Sequence, residues 1–216
     1  MSAPICTTAI LAVAINWGTL EDRMSVLLSA LVSSKEPNAG IIVYFVPENS
    51  ATRFSIVDRV ARRNTFIPAT DDDPELPAIE TIHLEWMSFF NSLGRARSAR
   101  NHITHGVIRL VPSGRSGRMV TRLAPSMWDY DRWANLKPGQ APGFSHQDVE
   151  RTAEKIDVLA KRATLFRTAA LYCHDDRTKL QKIADELVAH RRRHGGLLQD
   201  DQIPQEQLEP PRSSGG

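Results

Sequence analysis

Two cysteines in 216 residues are too few to staple a fold. Cys6 and Cys173 stand far apart and neither belongs to a Cys-x-x-Cys pair, which excludes a disulfide framework. They read as reduced thiols in a cytoplasmic protein. Charge of one sign is scarce too. The 27 lysines and arginines against 25 acidic residues leave a net charge of +2, which by itself argues for no polyanionic partner. Long apolar runs are missing: Ile10 to Ile15 is broken by Asn16 and Gly18 and followed by Glu21-Asp22-Arg23. That stretch is too short and too polar to cross a membrane, so no membrane partner is expected. The first sixteen residues carry no lysine or arginine, so the basic start of a secretory signal is absent. Neither His-Glu-x-x-His nor GxGxxG nor GxxxxGK[ST] occurs, and Asp71 to Asp73 form an acidic loop rather than a spaced ligand set. The sequence therefore calls for no metal and no cofactor.

What is present is an ordinary globular composition. With 41% hydrophobic and 24% charged residues, the chain has the material for one core and fits one domain of common size. That domain is placed at residues 1–194. Residues 195–216, rich in Gln, Pro, Asp, Ser and Gly, read as a disordered tail. Basic residues cluster locally: Arg95, Arg97 and Arg100 in one stretch, and Arg191, Arg192 and Arg193 between His190 and His194 in another. The second run reads as a solvated helix end, or as a surface that tracks an RNA backbone.

Helical periodicity dominates the chain. A first helix is expected over about Thr8 to Ser33, with Ile10, Val13, Trp17, Leu20, Met24, Leu27 and Leu31 in steps of three and four. Ile41 to Phe45 reads either as a short strand or as a buried connecting segment. A second helix should fill Ser50 to Arg63, with Phe54, Val57 and Val60 inward, and a third about Ala78 to His105, entered at Pro77. Val107 to Val111 and Met119 to Leu123 flank a Pro/Gly/Ser-rich turn and predict a β-hairpin. Trp128, Tyr130 and Trp133 in the following loop read as a cover for one end of the bundle or as stacking surfaces for unpaired bases. Ser145 is a good N-cap with Asp148 three residues on, and Phe144 is placed to staple to Val149. A fourth helix then reaches about Tyr172, and a fifth segment covers Asp176 to Arg193. The expected fold is all-α: a helical bundle of four to five helices with a small β-hairpin insertion at about 107–123.

The third helix carries the informative residues. Its seam runs Ile79, Ile82, Trp86, Phe89, Leu93, Ala96, Arg100 and Ile103. Arg100 thus falls in phase with a buried stripe, where charge is costly unless it is paired or faces a ligand. The helix closes on Arg100-Asn101-His102-Ile103-Thr104-His105, and Gly106 offers a stop. Asn101 and His105 are four apart and share a face, with Arg97 one turn earlier on that stripe. At 3.6 residues per turn Arg100 lies about 140° around from His105. Two such helix ends facing across a symmetric dimer make a better site than one. An arginine holds a phosphate and a histidine moves protons near neutral pH, which is what cleaving RNA without a metal requires.

Arg100-Asn101, three positions, then His105, at the end of a long helix in a small all-helical protein, resembles the HEPN superfamily (the higher eukaryote and prokaryote nucleotide-binding domain). The likeness covers roughly residues 8–172. It leaves the hairpin and tail unexplained. It implies a metal-independent endoribonuclease, commonly a homodimer, acting on RNA in a toxin–antitoxin or phage-defence setting, with an antitoxin protein as a possible partner. On this resemblance His105 serves as general acid/base at the ribose 2′-OH and the leaving 5′-oxygen. Arg100 stabilises charge on the phosphoryl oxygens, and Asn101 orients the phosphate or the histidine. Arg97, Glu21 and His102 are accessory candidates, His102 last because it points about 60° off the line between arginine and histidine.

Each of these residues has a plainer reading. Arg97 to His102 is a second match to the same spacing. Arg100 could form a buried ion pair with Glu21 or Asp22 of the first helix, and His105 could simply suit the negative end of a helix dipole. Glu21 reads most simply as a solvated or capping carboxylate, His83 as a boundary residue, and Trp17 and Trp86 as core. A non-catalytic HEPN-like interaction or RNA-binding module keeps the bundle without the chemistry.

Overall fold

The computed structural model describes residues 7–32, 38–66, 76–113, 118–124 and 143–199. Among them the fold is all-α with one hairpin. The helices are α1 (Thr7–Leu31), α2 (Ala39–Phe45), α3 (Ser50–Val60), α4 (Leu76–Thr104), α5 (His146–Asp175) and α6 (Leu180–Gln199). Strands β1 (Val107–Ser113) and β2 (Arg118–Ala124) pair antiparallel, from Val107 opposite Ala124 to Ser113 opposite Arg118. No described helix is long and apolar enough to cross a membrane.

The chain packs as two compact units. The first holds residues 1–14, 94–155 and 197–216 and contains the hairpin; the second holds residues 15–93 and 156–196. In the second unit the seam residues Ile79, Ile82, Trp86, Phe89 and Leu93 of α4 are all buried, as their spacing requires. They meet α5 in an aromatic cluster. Trp86 and Phe166 pack edge to face at 5.0 Å, Phe89 lies 5.2 Å from Phe166, and Phe66 lies 5.9 Å from Trp86. Trp17 of α1 packs edge to face on Phe54 of α3 at 5.6 Å, so both tryptophans are core.

In the first unit α5 begins as its sequence predicts. Ser145 Oγ accepts from the Asp148 amide at 3.1 Å, and Asp148 Oδ2 accepts from the Ser145 amide at 2.7 Å. This is a reciprocal capping box with Asp in the role usually given to Glu. Phe144 does not stop at its stapling place; its backbone forms a bridge with Leu123 of β2.

Four expectations need correction. Ile41 to Phe45 is neither strand nor buried connector but part of α2, with only Gly40 and Tyr44 buried in that helix. Its β-branched residues suit a strand, yet among the described residues no strand pairs with them, so local propensity loses to helical hydrogen bonding. The helix expected through Arg63 ends at Val60 and continues as a π-helical turn, Ala61–Thr65, closed by the Phe66 amide on Ala61 O at 2.9 Å. The disordered tail expected from Gly195 does not hold for residues 195–199, which extend α6, with Leu198 buried. Arg191 is not only a solvated helix end, since its half-exposed side chain also reaches the Glu85 carboxylate. The Trp128, Tyr130 and Trp133 loop, Asp71 to Asp73, the hairpin turn at 114–117 and residues 200–216 lie outside the described residues.

Candidate functional site

The hexapeptide sits where α4 ends and β1 begins. Ala96, Ala99 and Ile103 are buried, which fixes the rotation of this stretch. Arg97 and Arg100 are then half-buried, while Asn101 and His105 are exposed. The His105 amide still bonds Asn101 O at 3.1 Å although α4 ends at Thr104, so the helical register persists through the histidine. Asn101 and His105 therefore share one exposed stripe.

Arg100 is rotated away from that stripe but turns back to it. Its Nη1 donates to Asn101 Oδ1 at 3.0 Å, which aims the asparagine amide and holds the guanidinium on the asparagine side. His102 is engaged differently. Its Nδ1 lies 2.8 Å from Ser98 O, and its ring faces Phe144 at 6.5 Å. It is thereby a packing residue between α4 and the segment that starts α5. Thr104 Oγ1 bonds back to Arg100 O and Asn101 O, as hydroxyls do near helix ends.

Gly106 ends the helix for a different reason from the one expected. It does not adopt a left-handed backbone; the structure has no room for a side chain there. A Cβ would lie 2.8 Å from Leu123 Cγ and 2.9 Å from His102 O. The glycine lets the hairpin come against the helix end, directly beside His105.

Glu21 belongs to other partners. Its carboxylate accepts from Trp17 Nε1 at 3.2 Å, from Ser50 Oγ, and from Arg53 Nη1 at 2.9 Å. It also stands near Tyr44, whose hydroxyl is pushed far up, first by burial and then by the Glu21 charge. Glu21 is a structural hub between α1 and α3.

Sequence reasoning missed three groupings. Glu85 of α4 is buried and holds the fully buried Arg162 of α5, whose Nη2 also donates to Glu85 O at 3.1 Å. His190 and His194, a His-x-x-x-His pair overlooked in the sequence, have rings 4.8 Å apart. Burial first, then His194, Arg162, Arg193 and Lys161, lower the His190 pKa to about 4, surroundings hostile to a metal cation. Among the described residues no group of three or more His, Cys, Asp or Glu is placed to hold a metal. Third, Arg59, Arg62 and Arg63 line a cavity with Ser55 and Asp58. The spacing of Arg59, Arg62 and Arg63 was the available signal for it.

Compared with protein-family models, with curated proteins and with solved structures, the chain matches none of them.

Proposed function

We propose that this protein is a metal-independent endoribonuclease of the HEPN type, cleaving RNA at the end of α4. The observation that carries the reading is the Arg100–Asn101 hydrogen bond beside an exposed His105. It gathers a phosphate-binding cation, an orienting amide and a proton carrier on one accessible helix end. His105 takes the ribose 2′-OH proton as O2′ attacks phosphorus, and the bond from phosphorus to O5′ breaks. Protonated imidazole returns a proton to O5′, giving a 2′,3′-cyclic phosphate and a 5′-hydroxyl. Arg100 neutralises charge growing on the phosphoryl oxygens, for which a planar guanidinium is well shaped. Arg97 extends the stripe toward the next phosphate.

A second proton carrier completes the chemistry, and His102, half-buried with Nδ1 at Ser98 O and its ring toward Phe144, is the lesser candidate for it. A second copy of the chain supplies one, which makes a homodimer the working form of this reading. The alternative is a non-catalytic HEPN-like RNA-binding module, which keeps the bundle without the chemistry. A toxin or defence role with an antitoxin partner follows from the HEPN resemblance, and a cytoplasmic setting from the two cysteines read as reduced thiols.

The test is incubation with a mixed RNA pool in EDTA, wild type beside His105→Ala. Wild type alone should give products ending in 2′,3′-cyclic phosphate, with the melting temperature of the variant nearly unchanged because His105 is exposed. RNA binding without cleavage by either protein would move the assignment to the non-catalytic module.

A further inference from the structure

The cavity beside the π-helical turn has the composition of an anion site. Its volume is about 380 Å³, and it is lined by Ser55, Asp58, Arg59, Arg62 and Arg63. All five come from one stretch of chain, the second half of α3 and the π turn that follows it. Positions 55, 59, 62 and 63 fall on one helical face. Widening the last turn from α to π geometry changes how that face presents its side chains, and such turns recur at functional sites.

The charges are unevenly committed. Asp58 is buried and doubly used: its Oδ1 accepts from Trp86 Nε1 at 2.9 Å, and its Oδ2 pairs with Arg62. The carboxylate thus neutralises Arg62 and fixes it at the cavity wall. Arg59 and Arg63 are exposed, and their guanidinium groups have no ion-pair or hydrogen-bond partner among the described residues. They are four apart, so the two like charges repel one another. Among the described residues the lining offers two uncommitted guanidinium groups and a serine hydroxyl, and no aromatic or aliphatic side chain. It suits an oxyanion.

We propose that this cavity binds a phosphate-class oxyanion, the terminal phosphates of a nucleotide or of an RNA end. Arg59 and Arg63 grip its oxygens, Ser55 donates to it, and Arg62 is held in place by Asp58. Guanidinium is the side chain of choice for such bidentate contacts. The proposal does not rest on ribonuclease chemistry at the hexapeptide.

Titration calorimetry of the full chain with pyrophosphate tests it. Saturable binding is expected, with affinity reduced at least tenfold in Arg59→Gln/Arg63→Gln. The melting temperature should not move, because both residues are exposed. Arg192→Gln/Arg193→Gln, which removes two exposed arginines elsewhere, and His105→Ala should both keep the affinity. Competition by a 5′-phosphorylated RNA oligonucleotide, and none by its 5′-hydroxyl counterpart, would place the phosphate on RNA. Competition by nucleotides alone would place it on a small molecule. No saturable binding, or an equal loss in the Arg192/Arg193 variant, would overturn the proposal.

Discussion

Arg162 of α5 binds Glu85 of α4 with neither side chain open to solvent, and Arg191 of α6 brings its Nε within 2.8 Å of the same carboxylate. One negative charge thereby serves two guanidinium groups. The Nε and Nη1 atoms of Arg162 are buried without a hydrogen-bond partner. Burial is the main cause that lowers the Arg162 pKa, and Glu85 opposes it. The carboxylate is the partner on which the other two depend.

Removing that carboxylate should be costly. Glu85→Ala leaves Arg162 buried and unpaired, a change worth about 3–5 kcal/mol of stability. The double variant Glu85→Leu/Arg162→Met should lose much less, because both charges leave together. Urea unfolding of the two variants checks this, and a double variant as unstable as the single would refute it.

Acid should weaken the second unit through His190. The histidine is held neutral in the folded protein, with its pKa lowered to about 4, first by burial and then by His194, Arg162, Arg193 and Lys161. The unfolded chain takes up that proton near pH 6.5, so between about 6.5 and 4 the unfolded state binds more protons. Stability therefore falls as pH falls through that window and is fully retained above it. Unfolding midpoints at about pH 7 and pH 5 should differ less in His190→Gln than in wild type. An unchanged difference would show that the native histidine titrates normally.

Gly40→Ala should destabilise the protein although alanine is the better helix former. The gain in propensity is at most about 1 kcal/mol. Against it stands a Cβ placed 2.4 Å from Ser29 Cα and 2.5 Å from Ser29 N, where backbone cannot step aside. Overpacking of this kind costs about 1–3 kcal/mol, so the net effect is a loss. Thermal melting of the single variant decides the sign.

The two long seams were legible because steps of three and four leave one reading: every apolar member of the α4 seam from Ile79 to Ile103 is buried. The hairpin was legible for a different reason, two largely apolar runs flanking a centre rich in Pro, Gly and Ser. The site was legible only as a set of residues. That Arg100 would reach Asn101 depends on a rotamer, which no spacing records. The charge argument was sound but aimed at Arg100, which is half-buried, whereas Glu85, three positions after Ile82, carries the buried charge. The α2 misreading has a related origin. Ile41, Ile42 and Val43 describe a strand only if a partner strand exists, and partners are a property of the whole chain.

β2 and the residues that open α5 hold one another by groups of their own. Leu123 and Phe144 exchange backbone hydrogen bonds at 2.8 and 2.9 Å, and Asp148, besides capping α5, takes Arg122 of β2 at 3.4 Å. β2 and the start of α5 are therefore clasped to one another by noncovalent pairs. The distance between β2 and the start of α5 is therefore set by the clasp itself, and removing Asp148 would loosen the cap of α5 and its hold on β2 together.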